Sequence, residues 1–168
     1  MKRTLVAYFS ATGVTASVAK KLSSALEADL TEIQPEISYT MEDLDWKNKE
    51  SRSSVEMANP KSRPAIKPSP LQIEDYDTVF VGFPIWWYVA PTIVQTFLES
   101  YDLSDKTIVP FATSGGSDMG NTNEKLSQSC KNAKLLEGKV FSQTVSEKEL
   151  LKWRIRNPDL RLNHRLFR

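Results

Sequence analysis

Nearly continuous apolar runs recur along this chain, with polar segments of helical periodicity between them. Thr4 to Phe9, Thr78 to Phe83 and Thr107 to Ala112 are such runs, as expected of strands buried on both faces. Asp29 to Ile33 reads as a weaker strand, and Lys139-Val140-Phe141 as a short fifth. Val14, Val18, Leu22, Ala25 and Leu26 fall on one helical face. The pattern predicts helices over residues 14–28, 91–101 and 120–132, and a last one from 146 onward. Pro91 suits a first-turn position, and Pro158 should stop the last helix. Alternating strands and helices predict an α/β fold, an open parallel sheet with helices on both faces.

Residues 34–70 break this rhythm. The segment is polar, carries Pro35, Pro60, Pro64, Pro68 and Pro70, and is too long for a simple connection. Tyr39, Leu44 and Trp46 supply apolar anchors, which favours a folded excursion over the edge of the sheet. At 168 residues the chain is expected to form one domain, with no internal repeat and no segment of membrane-spanning length. Met1-Lys2-Arg3 precedes an apolar run too short for a secretory signal. The single cysteine, Cys130, sits in a polar stretch read as helical and cannot form an internal disulfide. A reducing cytoplasm is therefore the expected location.

The net charge of +1 conceals an uneven distribution. Residues 152–168 hold six basic side chains against Asp159, or +5, which leaves residues 1–151 at −4. A basic tail can contact nucleic acid or acidic partners, but such tails are usually only solvated. Neither a nucleic-acid nor a membrane partner is expected.

In an open α/β sheet, ligands bind outside the carboxyl ends of the strands. After the first strand comes Ser10-Ala11-Thr12-Gly13-Val14-Thr15, a hydroxyl-rich turn opening a helix. Helix N-terminal N–H groups attract phosphate, and Gly13 permits positive φ. The turn has no Lys or Arg, unlike a Walker A loop, and lacks the three-glycine spacing of a dinucleotide fingerprint. Taken alone it reads equally well as an ordinary capped helix. After the third strand comes Pro84-Ile85-Trp86-Trp87-Tyr88-Val89-Ala90-Pro91. Three adjacent aromatics either pack beneath the insertion or stack on a flat conjugated ligand. After the fourth comes Thr113-Ser114-Gly115-Gly116-Ser117-Asp118-Met119-Gly120, rich in backbone donors. A phosphate at one end and an aromatic slot at the other describe flavin mononucleotide (FMN).

These motifs resemble those of the flavodoxin-like family, in the branch with a Gly-x-Pro-x-Trp-Trp loop. The matching residues are Ser10 to Thr15, Gly82 to Trp87 and Pro110 to Ser117, and the similarity runs from residue 1 to about 153. The resemblance implies a three-layer α/β/α sandwich with a five-stranded parallel sheet in the order 2-1-3-4-5, and one non-covalent FMN. By the same resemblance Ser10, Thr12, Gly13 and Thr15 hold the phosphate, Pro84 to Tyr88 line the isoalloxazine, and Thr113 to Gly116 contact its polar edge. Ala11, Val14 and Asp118 complete the candidate set. Tyr88 departs from the small residue that many relatives carry after the tryptophan pair. The mildly acidic body gives a weaker steering field than that of strongly acidic electron carriers.

The expected function is electron transfer through FMN, to a redox partner protein or a small-molecule acceptor. One alternative is an NAD(P)H-dependent oxidoreductase acting on quinones or nitro compounds, with Tyr39, Trp46, Arg52 and Arg63 of the insertion forming part of a substrate pocket. Another is a non-catalytic FMN-binding regulatory module. No residue is singled out as an acid, base or metal ligand; the lone histidine, His164, lies in the tail.

Overall fold

A computed structural model describes residues 3–160. His164 and most of the basic tail's charge lie outside the described residues. The strands are β1 (Arg3–Tyr8), β2 (Asp29–Glu32), β3 (Tyr76–Pro84), β4 (Thr107–Thr113), β5 (Lys134–Leu135) and β6 (Lys139–Phe141). The α-helices are α1 (Val14–Leu26), α2 (Arg52–Ala58), α3 (Thr92–Glu99), α4 (Thr122–Ser127) and α5 (Glu147–Arg156). The sheet is parallel in the order β2-β1-β3-β4-β5, with β6 also pairing β4. This is the expected 2-1-3-4-5 order.

Side-chain alternation along the strands sorts the core into two layers. Leu5, Ala7 and Phe9 face one side with Val79, Val81 and Phe83, under Ile93, Val94, Phe97 and Leu98 of α3 and Leu126 of α4. Val6 and Tyr8 face the other with Phe80, Val109 and Phe111, under Val18 and Leu22 of α1 and Leu150 of α5. With both faces of β1, β3 and β4 covered, no polar alternation survives in their sequences.

The fifth strand position is split in a way the sequence did not predict. β5 pairs with Thr107 and Ile108, and β6 with Phe111 to Thr113. The Ile108 carbonyl accepts from the Leu136 N–H at 2.9 Å, so Ile108 turns its peptide groups towards this strand. Pro110, two residues on, faces the same way and has no N–H to offer. The ladder breaks opposite it.

Helix bounds differ from expectation at their ends. α1 stops at Leu26 because Glu27 takes φ 50°, and its N–H returns to the helix's last carbonyls. Pro91 is the N-cap of α3 rather than its first residue. Ser146 caps α5 by accepting from the Glu149 N–H, and the helix ends at Arg156, two residues before Pro158. Cys130 lies beyond α4 rather than in a helix, buried in the core, and burial pushes its thiol up to about 11. Among the described residues no helix is long and apolar enough to cross a membrane.

Residues 34–70 leave the sheet after β2 and return before β3. The ends of the excursion are joined: Pro35 bridges Ile66, Glu36 N–H donates to the Ala65 carbonyl, and Lys67 N–H donates to that of Gln34. Inside it sits α2, capped by Ser51 accepting from the Ser54 N–H. Two turns of mixed polar sequence carry too little periodicity for this helix to be read from sequence.

Candidate functional site

The loop after β1 is folded by its first serine. Ser10 Oγ accepts from the N–H groups of Gly13 and Ala16, each at 3.1 Å. Gly13 adopts φ 93°, a conformation that strains other residues, and its Cβ position borders open space. Ser17 N–H donates to the Gly13 carbonyl as α1 begins. The N–H groups of Val14 and Thr15, in the first helical turn, have no intrahelical acceptor. Thr12 and Gly13 are exposed at the tip, while Ala11 packs on the core.

The loop after β3 makes a tight reversal. Trp86 N–H donates to the Val89 carbonyl at 2.9 Å and Val89 N–H returns to that of Trp86 at 3.2 Å. Trp87 and Tyr88 between them both have positive φ, 49° and 66°. Two successive left-handed residues define a type I′ turn, normally built from Gly or Asn. Here two large side chains occupy it, at a cost of about 1–2 kcal/mol each. The turn separates the aromatics. Trp86 points inward, edge-on to Phe9 at 5.6 Å and to Tyr39 at 5.5 Å. Trp87 and Tyr88 stand in solvent, 44% and 68% exposed. Trp86 thus packs beneath the insertion, while Trp87 and Tyr88 face outward. Ile85 also packs on the core and donates its N–H to the Thr113 carbonyl at 2.9 Å, while Pro84 ends the β3 ladder opposite Thr113.

The loop after β4 repeats the device of the first. Ser114 Oγ accepts from the N–H groups of Gly116 at 3.1 Å and Ser117 at 2.7 Å, and pairs with Ser117 Oγ. Gly115 and Gly116 are exposed, and their Cβ positions, like that of Gly13, border open space. Asp118 is exposed and accepts from the Gly120 N–H. Gly120 is different. A Cβ there would lie 2.2 Å from the Tyr88 carbonyl oxygen, so a side chain at 120 would push the aromatic turn off this loop.

Two side-chain hydrogen bonds tie these segments further. Thr15 Oγ1 and Thr113 Oγ1 share a hydrogen bond of 2.7 Å, with the residues 1% and 3% exposed. These hydroxyls hold α1 to the end of β4. Lys125 of α4 donates to the Ala90 carbonyl at 3.1 Å and fastens the stem of the aromatic turn. Burial, then the Arg63 charge, lower its ammonium. Neither Lys125 nor Gly120 stands out in sequence, because each acts on a backbone carbonyl some thirty residues away.

The arginines of the insertion are engaged in structure. Arg52 donates to the Ile37 carbonyl at 2.7 Å, pairs with Glu56 and Asp43, and lies over the Tyr39 ring. Arg63 pairs with Glu99 and donates to the carbonyls of Pro60 and Ser62. Trp46 is 68% exposed, with Lys47 over its ring. Arg52 and Arg63 are thus tied into pairs within and beside the insertion, while Trp46 is exposed.

The comparisons agree with this architecture. A family model for flavodoxins matches residues 3–157. The crystal structure of a candidate flavoprotein from Bacteroides eggerthii shares 50% identity, over 91% of this chain and 96% of that one, with a TM-score of 0.86. One from Bacteroides uniformis shares 44%, over 92% and 99%, with a TM-score of 0.87. A flavoprotein in complex with FMN from Lactobacillus acidophilus shares the fold at 22% identity, over 91% and 99%, with a TM-score of 0.69. Among curated proteins no match reaches significance.

Proposed function

The chain belongs to the flavodoxin family, and on that premise we propose that it holds one FMN without covalent attachment and carries electrons through it. The observation that carries this reading is the junction of three loops at neighbouring strand ends, with the first and third tied by the Thr15–Thr113 hydrogen bond. Their chemistry fits the ligand. The first offers backbone N–H groups at a helix N-terminus to a phosphate, with Gly13 opening the approach. The second presents the faces of Trp87 and Tyr88, whose exposed area a conjugated ring would cover. The third offers the backbone of Gly115 and Gly116, beside open space, to a polar ring edge.

FMN, when bound, supplies the redox chemistry; the protein binds, orients and shields it. Ser10 and Ser114 shape their loops from inside by accepting N–H bonds. Ala11 and Ile85 anchor loop stems in the core. Val14 and Thr15 begin the helix that faces the phosphate. The engagement of Arg52 and Arg63 in ion pairs supports a carrier over an oxidoreductase that would use them in a substrate pocket.

Reconstitution tests both parts. The purified chain should take up FMN with quenching of flavin fluorescence, and be reduced by NADPH only when a separate reductase is added. A protein that stays colourless would refute FMN binding. Steady NADPH oxidation with a quinone, by the loaded protein alone, would move the reading to the oxidoreductase.

A further inference from the structure

One residue of the insertion touches both ends of the site. The rings of Phe9, Tyr39 and Trp86 form a closed triangle of edge-to-face contacts. Centroid separations are 5.6 Å for Phe9–Tyr39, 5.5 Å for Tyr39–Trp86 and 5.6 Å for Phe9–Trp86. Each corner comes from a different part of the chain. Phe9 immediately precedes Ser10, which folds the first loop. Trp86 opens the turn that displays Trp87 and Tyr88. Tyr39 arrives from the excursion between β2 and β3.

Tyr39 is itself held from several sides. Its hydroxyl donates to Glu56 on α2. The Arg52 guanidinium carbon lies 3.8 Å from the ring centroid. Arg52 in turn pairs with Glu56 at 3.2 Å, donates to the Ile37 carbonyl at 2.7 Å and lies 3.8 Å from Asp43. The helix inside the insertion thus acts as a bracket for one ring. An aromatic pair stabilises beyond its buried area, and a cation over the ring face adds a comparable amount. A loop needing only to cover the sheet edge has no use for so specific a clamp at the junction of two candidate binding loops.

We propose that Tyr39 is a positioning residue for the ligand, its ring setting the spacing between the phosphate-facing loop and the aromatic turn. The proposal rests on the FMN reading above and adds to it a role for the insertion. A ligand gripped at both ends gains affinity from the second grip only when the two grips sit at the right separation. Loss of Tyr39 should therefore remove the advantage of a two-ended ligand more than it weakens binding of the ring alone.

The experiment titrates FMN and riboflavin, which lacks the phosphate, into full-length wild type, Tyr39→Leu, Tyr39→Phe and Arg52→Met. It follows flavin fluorescence, and records near-ultraviolet circular dichroism of the flavin-free proteins. Tyr39→Leu should raise the FMN dissociation constant about tenfold or more and that of riboflavin less than about threefold. Tyr39→Phe, which keeps the ring, should leave both within about threefold of wild type. Arg52→Met should fall between the two, and decides the matter if Tyr39→Leu does not fold. An equal rise for both ligands would mean general loosening and overturn the proposal, as would no rise in either. An unchanged tryptophan dichroism in flavin-free Tyr39→Leu would also overturn it, because Trp86 would not have moved. Wild type that binds neither flavin defeats the FMN reading itself, an outcome distinct from a wild type that binds while the variants bind equally well.

Discussion

Replacing Thr15 with valine tests whether the buried hydroxyl pair joins the first and third loops. Thr15 and Thr113 share a 2.7 Å hydrogen bond, and both residues are almost fully enclosed. Valine keeps the volume and removes the oxygen, so Thr15→Val leaves the Thr113 hydroxyl buried with no partner. An orphaned buried hydroxyl costs about 1–3 kcal/mol, against about 0.5–1.5 kcal/mol for the net value of the bond. For a chain of this size that is a fall in melting temperature of about 2–4 °C per kcal/mol. Thr113→Val should cost a similar amount by orphaning Thr15. The double variant buries no orphan and should cost less than the two singles together, with a coupling of about 1 kcal/mol or more. Urea unfolding of the four proteins measures the cycle, and FMN titration should follow the same order, with the double variant recovering affinity lost by either single. Additive losses, with no coupling beyond error, would refute a direct bond as the link between the loops.

Trp86→Ala and Trp87→Ala should separate cleanly. The inward ring of Trp86 should cost about 3 kcal/mol of stability, whereas exposed Trp87 should change urea stability by less than about 1 kcal/mol and weaken FMN binding by about 1–3 kcal/mol. Tyr88→Gly should stabilise the flavin-free protein by about 1 kcal/mol in urea unfolding, since its φ of 66° suits glycine. Gly120→Ala should destabilise by about 2–4 kcal/mol and lower FMN affinity as well, because the new Cβ meets the Tyr88 carbonyl at 2.2 Å in a left-handed conformation. Tyr76 is pushed up from 10.0 to about 12, first by burial and then by its hydrogen bond to Asp29. A raised folded value means that its contribution is complete below pH 10 and is lost as pH rises towards 12. Stability measured across that window should fall less steeply in Tyr76→Phe than in wild type.

Much of the layering was legible because burial leaves a simple mark. Strands β1, β3 and β4 are covered on both faces, so their sequences had to be apolar throughout. The turn residues at their carboxyl ends had to differ from them. The edge elements were less legible. β2 is mostly exposed, and the fifth strand breaks where Pro110 of its neighbour withholds an N–H. The signal for that break lies on a different strand from its effect. α2 is too short to declare a period, and it is held by Tyr39, Arg52 and Glu56 rather than by propensity.

The candidate site divides along the same line. The sequence by itself determined which chemistry stands at each strand end: a lysine-free hydroxyl turn, an aromatic loop and a serine–glycine loop. That information is local, since strand ends are where backbone polar groups and small residues must appear. Only the tertiary structure decided which way each group faces. Adjacent identical tryptophans part company because the backbone at Trp87 and Tyr88 turns left-handed. Ser10 and Ser114 turn their oxygens inward to N–H groups of their own loops. Thr15 finds Thr113 across 98 residues, and Tyr39 meets Phe9 and Trp86. Side-chain direction depends on backbone dihedrals and on partners far away in the chain, and neither is written in the spacing of residue types.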